Sequence, residues 1–231
     1  TNSEVNNGIV RRSPEGKWES FHFQALTTSY EVDKILITSG GDKWVNVPRS
    51  RTTGGVGILI FNDEGSHFEA NFNTINNQNP IRSKNCFSMA EDFSGQIWIG
   101  TAQGPIICST PQRAVSNPDQ LYFKHIIVND ENGEPYVFLE NEQINAIAVD
   151  GGNRKWLGTA GGGIYLVNPE GTEIIHHFTT ETEGAYLLSN TIQSIVINDK
   201  TGEVFIGTDK GLVSYQSEAT EASSDYSDVY A

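Results

Sequence analysis

The sequence predicts an all-β fold of the β-propeller type, made of four-stranded antiparallel blades. Three observations lead to this prediction. A segment of about 50 residues recurs along the chain, which is a blade-sized period. Each copy carries an aromatic residue followed by an apolar residue and, in three of the four copies, by Gly-Thr. Glycine-containing turns follow at fixed spacing, as expected of short strands joined in sequence.

The recurring segment begins with two apolar residues three positions apart and an Asp or Asn three positions later, as in Ile144, Ile147 and Asp150. The aromatic residue then follows. Its positions are Trp44, Trp98, Trp156 and Phe205, and the Gly-Thr pairs are Gly100-Thr101, Gly158-Thr159 and Gly207-Thr208. Because these residues recur at one blade position, we expect them to be structural, with the aromatic side chains in the core between blades.

One copy, at residues 32–65, departs from this pattern. Thr38 stands where the other copies have Asp or Asn, and Val45, Asn46 and Val47 replace the apolar-Gly-Thr run. The loop after it, residues 46–56, is also enlarged.

Turns at two places in each copy predict where the strands begin and end. Residues 92–95, 150–153 and 198–202 predict tight turns between first and second strands, in which Asp or Asn caps the turn and Gly takes the positive φ. Between third and fourth strands, Gly16, Gly65 and Gly171 each lie eight residues after another Gly. The first strand should be buried on both faces, since it is almost entirely apolar.

Counting strands gives a propeller segment over residues 1–216. It comprises half a blade (1–30), three blades (31–73, 74–128 and 129–180) and three strands of a fifth (181–216). Propellers close radially to protect their edges, so the count predicts an incomplete segment of a larger propeller. The polar residues 217–231 are expected to be a linker toward a C-terminal domain.

Composition excludes several classes of function. The 15 basic and 29 acidic residues give a net charge of −14, which would repel nucleic acid and an anionic membrane surface. We expect no direct membrane insertion by this segment, because no apolar run approaches the length of a membrane span. The two cysteines, Cys86 and Cys108, should lie on the first and third strands of one blade, about 9–10 Å apart, and therefore stay unbonded and buried.

Candidate binding residues lie in the long loops, because loops on a rigid scaffold usually carry binding function. Arg49 and Arg51 could recognise a carboxylate, phosphate or anionic sugar bidentately. The alternative is two solvated arginines that pair with nearby acids. Tyr136 and Tyr186 could stack on a ligand, or simply anchor their loops. These four residues are the predicted ligand-binding set.

No catalytic residue, cofactor or metal site is predicted. The chain lacks a serine nucleophile motif, and residues 130–134 lack the full spacing of a calcium loop, which favours a surface turn. His176 and His177 are adjacent on a predicted strand and should point to opposite faces, so they could not bind one metal together.

Several segments resemble known repeats. Residues 92–105 and 188–195 resemble the two-component regulator propeller repeats of Bacteroidetes envelope proteins. Residues 144–159 and 201–220 are similar to the second propeller of PorZ-type proteins, which belong to the type IX secretion apparatus and sit on the outer cell surface. The resemblance implies an extracytoplasmic location, in the periplasm or at the cell surface. It also implies a small β-sandwich after the propeller, to which handling of anionic lipopolysaccharide is largely attributed, and no catalytic residue in the propeller.

Two functions follow from the resemblance. The first is a non-enzymatic interaction or scaffold module for secretion and surface attachment, whose partners would be proteins of the envelope or the secretion machinery, or an acidic glycan. The second is the glycan-sensing extracytoplasmic propeller of a hybrid two-component histidine kinase. A polysaccharide lyase or hydrolase is a weaker third class, because no cluster of acids, Tyr and His is evident on the long-loop face.

Overall fold

The computed structural model describes residues 8–23, 26, 29–47, 49–50, 57–70, 85–184 and 186–220. The chain divides into two compact units. The first comprises Thr1–Glu91, Gly95–Ala102 and Ile106–Lys124, and the second comprises Asp92–Ser94, Gln103–Pro105 and His125–Ala231.

The described elements are almost all strands. In the first half of the chain they are β1 (Gly8–Arg12), β2 (Trp18–His22), β3 (Ser29–Glu31), β4 (Ile35–Ile37), β5 (Lys43–Asn46), β6 (Arg49–Ser50), β7 (Ile58–Phe61), β8 (His67–Ala70), β9 (Cys86–Glu91), β10 (Ile97–Thr101) and β11 (Gly104–Cys108). Two short 3-10 helices, Pro111–Arg113 and Pro118–Gln120, follow β11. They lie in the segment 109–120 that follows β11.

The remaining strands are β12 (Phe123–His125), β13 (Ile127–Asn129), β14 (Pro135–Val137), β15 (Ile144–Val149), β16 (Lys155–Thr159), β17 (Ile164–Val167), β18 (Ile174–Phe178), β19 (Ile192–Asn198), β20 (Glu203–Thr208) and β21 (Gly211–Gln216). Four-stranded sheets have the orders β4-β5-β7-β8, β9-β10-β11-β12 and β15-β16-β17-β18, and β19-β20-β21 is a three-stranded sheet. Neighbouring strands pair antiparallel in these sheets, for example β9 with β10 and β16 with both β15 and β17. The predicted all-β architecture of four-stranded antiparallel sheets is confirmed.

Two strand pairs were not predicted. β3 pairs with β6, with Glu31 opposite Arg49, and β13 pairs with β14 as a separate hairpin. β6 lies in the enlarged loop 46–56, and β3 and the β13–β14 hairpin lie outside the recurring segment. These segments have no counterpart in the other copies, so the repeat pattern carries no information about them.

The tight turns adopt left-handed backbone where the sequence predicts it, but in one turn an asparagine takes the positive φ in place of a glycine. Gly16, Gly65 and Gly171 have φ of 86°, 85° and 76°. In the turn 150–153 the positive φ falls on Asn153 (57°) rather than on either glycine. Asn tolerates this region better than most residues do. Its Oδ1 accepts a hydrogen bond from Phe93 N, in another tight turn, at 2.9 Å.

The aromatic motif residues line the cores of the sheets. Trp44, Trp98 and Trp156 are 0% exposed. Trp156 packs with Ile164, Val204 and Ile206, and its ring lies 5.5 Å from that of Tyr215. The fourth aromatic residue differs, because Phe205 is only half-buried.

The register of the last sheet explains this difference. Val204 and Ile206 alternate with Phe205 along β20 and face the sheet β15–β18, so Phe205 points to the opposite face. Val196 lies opposite Phe205 in the ladder and is 62% exposed. Leu212 lies opposite Gly207 on the same face and is 65% exposed. Among the described residues, no sheet covers this face.

The Asp or Asn that begins each tight turn has a second role in the copy at 144–163. Asp150 is buried, and its Oδ2 accepts hydrogen bonds from Trp156 Nε1 at 3.3 Å and from Arg154 Nε at 2.8 Å. In the departing copy, Thr38 donates its hydroxyl to the backbone oxygen of Asp42. Trp44 Nε1 is buried there without a hydrogen-bond partner.

A lysine precedes the tryptophan in two copies, and the two lysines differ in environment. Lys155 is fully buried, and its Nζ contacts Asp92 Oδ2 at 2.9 Å and donates to the backbone oxygens of Asn153 and Pro169. Burial lowers the pKa of Lys155, an effect that the Asp92 carboxylate opposes. Lys43 instead pairs with Asp63, whose side chain is 61% exposed.

Cys86 and Cys108 are unbonded and buried, as predicted. They lie on β9 and β11, with β10 between them. Burial raises the pKa of each thiol to about 12, so both stay protonated at neutral pH.

Substitution of the two tryptophans tests the Asp150 hydrogen bond. Both Trp156→Phe and Trp44→Phe remove aromatic volume from a fully buried site, but only the first removes a hydrogen bond to a carboxylate. We expect Trp156→Phe to lower the free energy of unfolding by about 1 kcal/mol more than Trp44→Phe. Urea denaturation followed by far-ultraviolet circular dichroism measures both. Equal losses would mean that the bond contributes nothing net.

The Lys155–Asp92 pair, with both side chains buried, is tested against the Lys43–Asp63 pair, in which the carboxylate is 61% exposed. Lys155→Met leaves the buried Asp92 carboxylate without its cation, so we expect a loss of about 3 kcal/mol in unfolding free energy. Lys43→Met breaks a pair with an exposed partner and should cost at most about 1 kcal/mol. Adding Asp92→Asn to Lys155→Met should recover part of the loss. If the double variant is no more stable than Lys155→Met, the pair is not the cause.

Candidate functional site

The predicted binding residues fall in different parts of the structure. Arg49 lies on the short strand β6 of the first unit, and Arg51 lies outside the described residues. Tyr136 is on β14 of the second unit and is 45% exposed, so it stands on a hairpin and not in the expected loop. Tyr186, also in the second unit, is 90% exposed.

A cavity of about 330 Å³ lies beside Tyr186 in the second unit. Strands β17, β18, β20 and β21 and the connection before β19 contribute to it. Its lining residues are Ile164, Phe178, Glu183, Gly184, Tyr186, Leu187, Ile206, Val213, Ser214 and Tyr215. Most are apolar or aromatic, so the cavity suits an apolar side chain or the flat face of a ligand.

The aromatic wall of the cavity is fixed by packing behind it. The ring of Phe178 lies 5.2 Å from Tyr215 and 6.5 Å from Trp156. Since Trp156 is fully buried, the two cavity rings rest on a rigid base. Glu183 and Ser214 are polar residues among those that line the cavity. Sequence reasoning found only Tyr186 here, because the other residues come together from three separated segments.

A second cluster surrounds the loop at residues 161–163. His177 stacks on Tyr165 at 3.8 Å between ring centroids, and its Nε2 lies 2.7 Å from the backbone oxygen of Gly162. Burial and the charge of Glu142 raise the pKa of Tyr165. The Glu142 carboxylate lies so close to Gly162 that a Cβ there would come within 2.8 Å of it. The exposed His177 ring is thus held by two contacts.

The neighbouring His176 packs differently. It lies 5.3 Å from Phe178, on the opposite side of β18 from His177, as the strand alternation predicts. Within the described ranges, no group of three or more His, Cys, Asp or Glu side chains could hold a metal ion. The Asp130 carboxylate caps its own turn by accepting from the backbone N–H groups of Asn132 and Glu134, and these bonds lower its pKa.

None of the helices among the described residues is long and apolar enough to cross a membrane.

Comparison with known proteins identifies the fold. No protein-family profile and no curated protein matches the sequence. The chain is similar in structure to PorZ of Porphyromonas gingivalis, described as an essential bacterial surface component of the type IX secretion system. The TM-score is 0.84 with 29% identity, over 95% of this chain and 30% of PorZ. The chain therefore spans about a third of the length of that protein.

Two further structures come from B. thetaiotaomicron. One is the extracellular domain of a one-component system, with TM-score 0.60 and 18% identity, over 91% of this chain and 25% of that one. The other is the extracellular domain of a hybrid two-component system, with TM-score 0.58 and 21% identity, over 84% and 22%. At these identities the likeness shows the fold alone. The sheets described above are thus blades of a β-propeller, and the predicted resemblance to the PorZ and two-component regulator propellers is confirmed.

Proposed function

We propose that the chain is a non-enzymatic interaction or scaffold module of a Bacteroidetes cell-envelope protein, PorZ-like, that acts in type IX secretion and surface attachment. The observation that carries this proposal is the 0.84 TM-score with PorZ over nearly the whole chain, at 29% identity. The module would act outside the cytoplasm, in the periplasm or at the cell surface, on partners from the envelope or secretion machinery.

The chemistry of the described residues supports a binding role over a catalytic one. Buried charged groups are committed to structural partners: Lys155 to Asp92 and Asp150 to Arg154 and Trp156. One concave feature among the described residues of the second unit is the apolar, aromatic-walled cavity beside Tyr186. Such a surface supplies contact area rather than proton transfer.

The second candidate is the glycan-sensing propeller of a hybrid two-component histidine kinase. The observation in its favour is the shared fold with the extracellular domain of such a system. Its TM-score and identity are lower than those with PorZ, which is why we place it second.

Deletion of the coding region for residues 8–216, in the bacterium that encodes the chain, separates the two candidates. We expect cargo proteins of the type IX system to accumulate in the periplasm and to disappear from the cell surface, measured by fractionation and immunoblotting. A strain that carries only Tyr122→Ala, a change at an exposed tyrosine of the first unit, is the control. It is made by the same genetic procedure and should secrete cargo normally. Normal secretion, with loss of a transcriptional response to glycans, would identify the sensor and overturn our proposal.

If the ligand is an acidic glycan, its binding should depend on Arg49 and Arg51 of the enlarged loop. Because the net charge of −14 repels anions, binding should rest on local cations. We expect Arg49→Ala and Arg51→Ala each to weaken binding of an acidic oligosaccharide by roughly tenfold. A thermal-shift panel of uronate- and sulfate-bearing oligosaccharides measures this, with Arg12→Ala as the control arginine. Unchanged binding in both variants would leave the two arginines as solvated surface groups.

A further inference from the structure

The loop between the second and third strands of the sheet β15–β18 differs from the equivalent loops in the neighbouring copies. There, two residues separate the motif threonine from the next glycine, 102–103 and 209–210, and each pair includes a long side chain. The copy at 144–163 has three residues instead, 160–162, with no side chain larger than a methyl group. A Cβ on Gly161 would meet nothing within 4 Å. The backbone of this loop is therefore open to close approach by a ligand.

The carboxylate of Glu142 lies in the space that the absent side chain of Gly162 leaves. Its Cδ, Oε1 and Oε2 atoms all lie 2.8 Å from the position of a Cβ on Gly162, so the carboxylate turns its face to the glycine. The in-plane lone pairs of the two oxygens then remain for hydrogen-bond donors. Glu142 is half-buried, and among the described residues its carboxylate has neither a hydrogen bond nor an ion pair. A partly desolvated, unpaired carboxylate attracts a cation more strongly than one in bulk water does.

A buried tyrosine and an exposed histidine lie beside this carboxylate. Tyr165 is 8% exposed, and within the described part of the chain its hydroxyl has no hydrogen-bond partner. Burial and the charge of Glu142 raise the pKa of Tyr165, so the hydroxyl is within electrostatic range of the carboxylate. His177 stacks on Tyr165, and its Nε2 donates to the backbone oxygen of Gly162 at 2.7 Å, because a carbonyl only accepts. Since Phe138 lies against the same tyrosine ring at 6.5 Å, the hydroxyl has a fixed position.

The charge of the surrounding segment also favours a cation. Residues 125–199 include 11 Asp and Glu residues but only two Lys or Arg residues, Arg154 and Lys155. Arg154 pairs with Asp150 and Lys155 pairs with Asp92. These two pairs lie at the β15–β16 turn, which is at the other end of β16 from the loop 160–162. Neither basic residue of this segment therefore neutralises Glu142.

We propose that Glu142, Tyr165 and the bare loop 160–162 form a binding site for the guanidinium or ammonium group of a basic side chain on a protein partner. The carboxylate of Glu142 accepts hydrogen bonds from the cation, and it accepts two in parallel when the cation is the guanidinium of arginine. The hydroxyl oxygen of Tyr165 accepts a further N–H group. The geometry and charge alone point to a cation, whereas its assignment to a protein rests on the proposed function as an interaction module.

The first test adds the peptide acetyl-Gly-Arg-Gly-amide to the full ¹⁵N-labelled chain. We expect saturable shifts of the amide resonances of residues 160–163 and of Glu142. The same peptide with citrulline in place of arginine keeps the shape of the side chain but has no charge. It should bind at least about tenfold more weakly. Unchanged resonances at the loop, or equal binding of the two peptides, would overturn the proposal.

Two acid variants separate the site from the overall charge of the chain. Glu142→Gln keeps the shape of the side chain and removes its charge, so we expect binding of the arginine peptide to weaken by about tenfold or more. Glu131→Gln makes the same change in net charge at an exposed position of the β13–β14 turn and should leave binding unchanged. Equal losses in the two variants would mean that the peptide responds only to net charge, and the site would be wrong.

A pair of glycine variants tests the position of the carboxylate without removing its charge. Neither Gly161 nor Gly162 has a positive φ, so alanine fits the backbone at both positions. Gly162→Ala places a methyl group where the Glu142 carboxylate lies, and the displaced carboxylate should bind the arginine peptide several-fold more weakly. Gly161→Ala adds the same group in open space and should leave binding nearly unchanged. Full binding in Gly162→Ala would contradict the arrangement, and this test does not depend on whether Glu142→Gln folds.

A parallel titration with glucosamine decides what bears the cation. We expect it to bind more weakly than the arginine peptide, because a single ammonium group cannot bond to the carboxylate in the planar, paired manner of a guanidinium. Tighter binding of glucosamine would make the ligand an amino sugar and overturn the assignment to a protein. These titrations do not involve secretion, so failure of the cation site and failure of the proposed function are distinguishable.

Discussion

The close approach of successive sheets at the glycine of the aromatic motif is the constraint on which the second unit depends. A Cβ on Gly158 would come within 2.4 Å of Ile192 Cγ2, on the first strand of the following sheet. Only glycine permits that distance. Because the backbones come so close there, Trp156 can fill the space between the sheets completely, and it is 0% exposed.

The threonine of the motif completes the same arrangement. Thr159 donates its hydroxyl to the backbone oxygen of Gly163 at 2.9 Å and accepts from Gly162 N at 2.7 Å. Thr208 makes the equivalent bonds to Gly211 and Lys210. The aromatic residue fills the gap, the glycine allows the approach and the threonine closes the turn between second and third strands. A change in one of the three therefore alters the conditions for the other two.

The departing copy shows how far this arrangement can vary. Asn46 occupies the glycine position there, and it is buried with both its amide oxygen and nitrogen lacking hydrogen-bond partners. Trp44 Nε1 is also buried without a hydrogen-bond partner. Thr38 stands where the copy at 144–163 has Asp150, whose carboxylate accepts from the tryptophan. A buried unpaired polar group costs about 1–3 kcal/mol. The first unit tolerates these groups within a core that contains Trp44, Ile58 and Ile60 fully buried.

The repeat explains why the four-stranded sheets could be predicted from sequence and the rest could not. Strands that recur, such as β15 and β19, can be recognised by comparing their sequences with each other. The sequences of β3, β6, β13 and β14 have no counterpart in the other copies, so no such comparison is possible. Phe205 fails for a different reason. The sequence determines its place in its own sheet, but burial depends on whether another sheet covers that face. The cavity was missed because Phe178, Leu187 and Tyr215 become neighbours only through the fold.

The division between buried repeated residues and accessible surface indicates where binding sites should be sought. Recurring positions such as Trp44, Trp98 and Trp156 are fully buried and therefore not accessible to a partner, whereas Phe205 lies on a face that no described sheet covers. The buried charges Asp92 and Lys155 are similarly committed, because Lys155 contacts Asp92 and donates to two backbone oxygens. What remains available is surface that one copy has and another lacks. In the second unit, such surface lies around the bare loop 160–162. A protein whose repeated residues are committed to stability can bind partners only where the repetition stops.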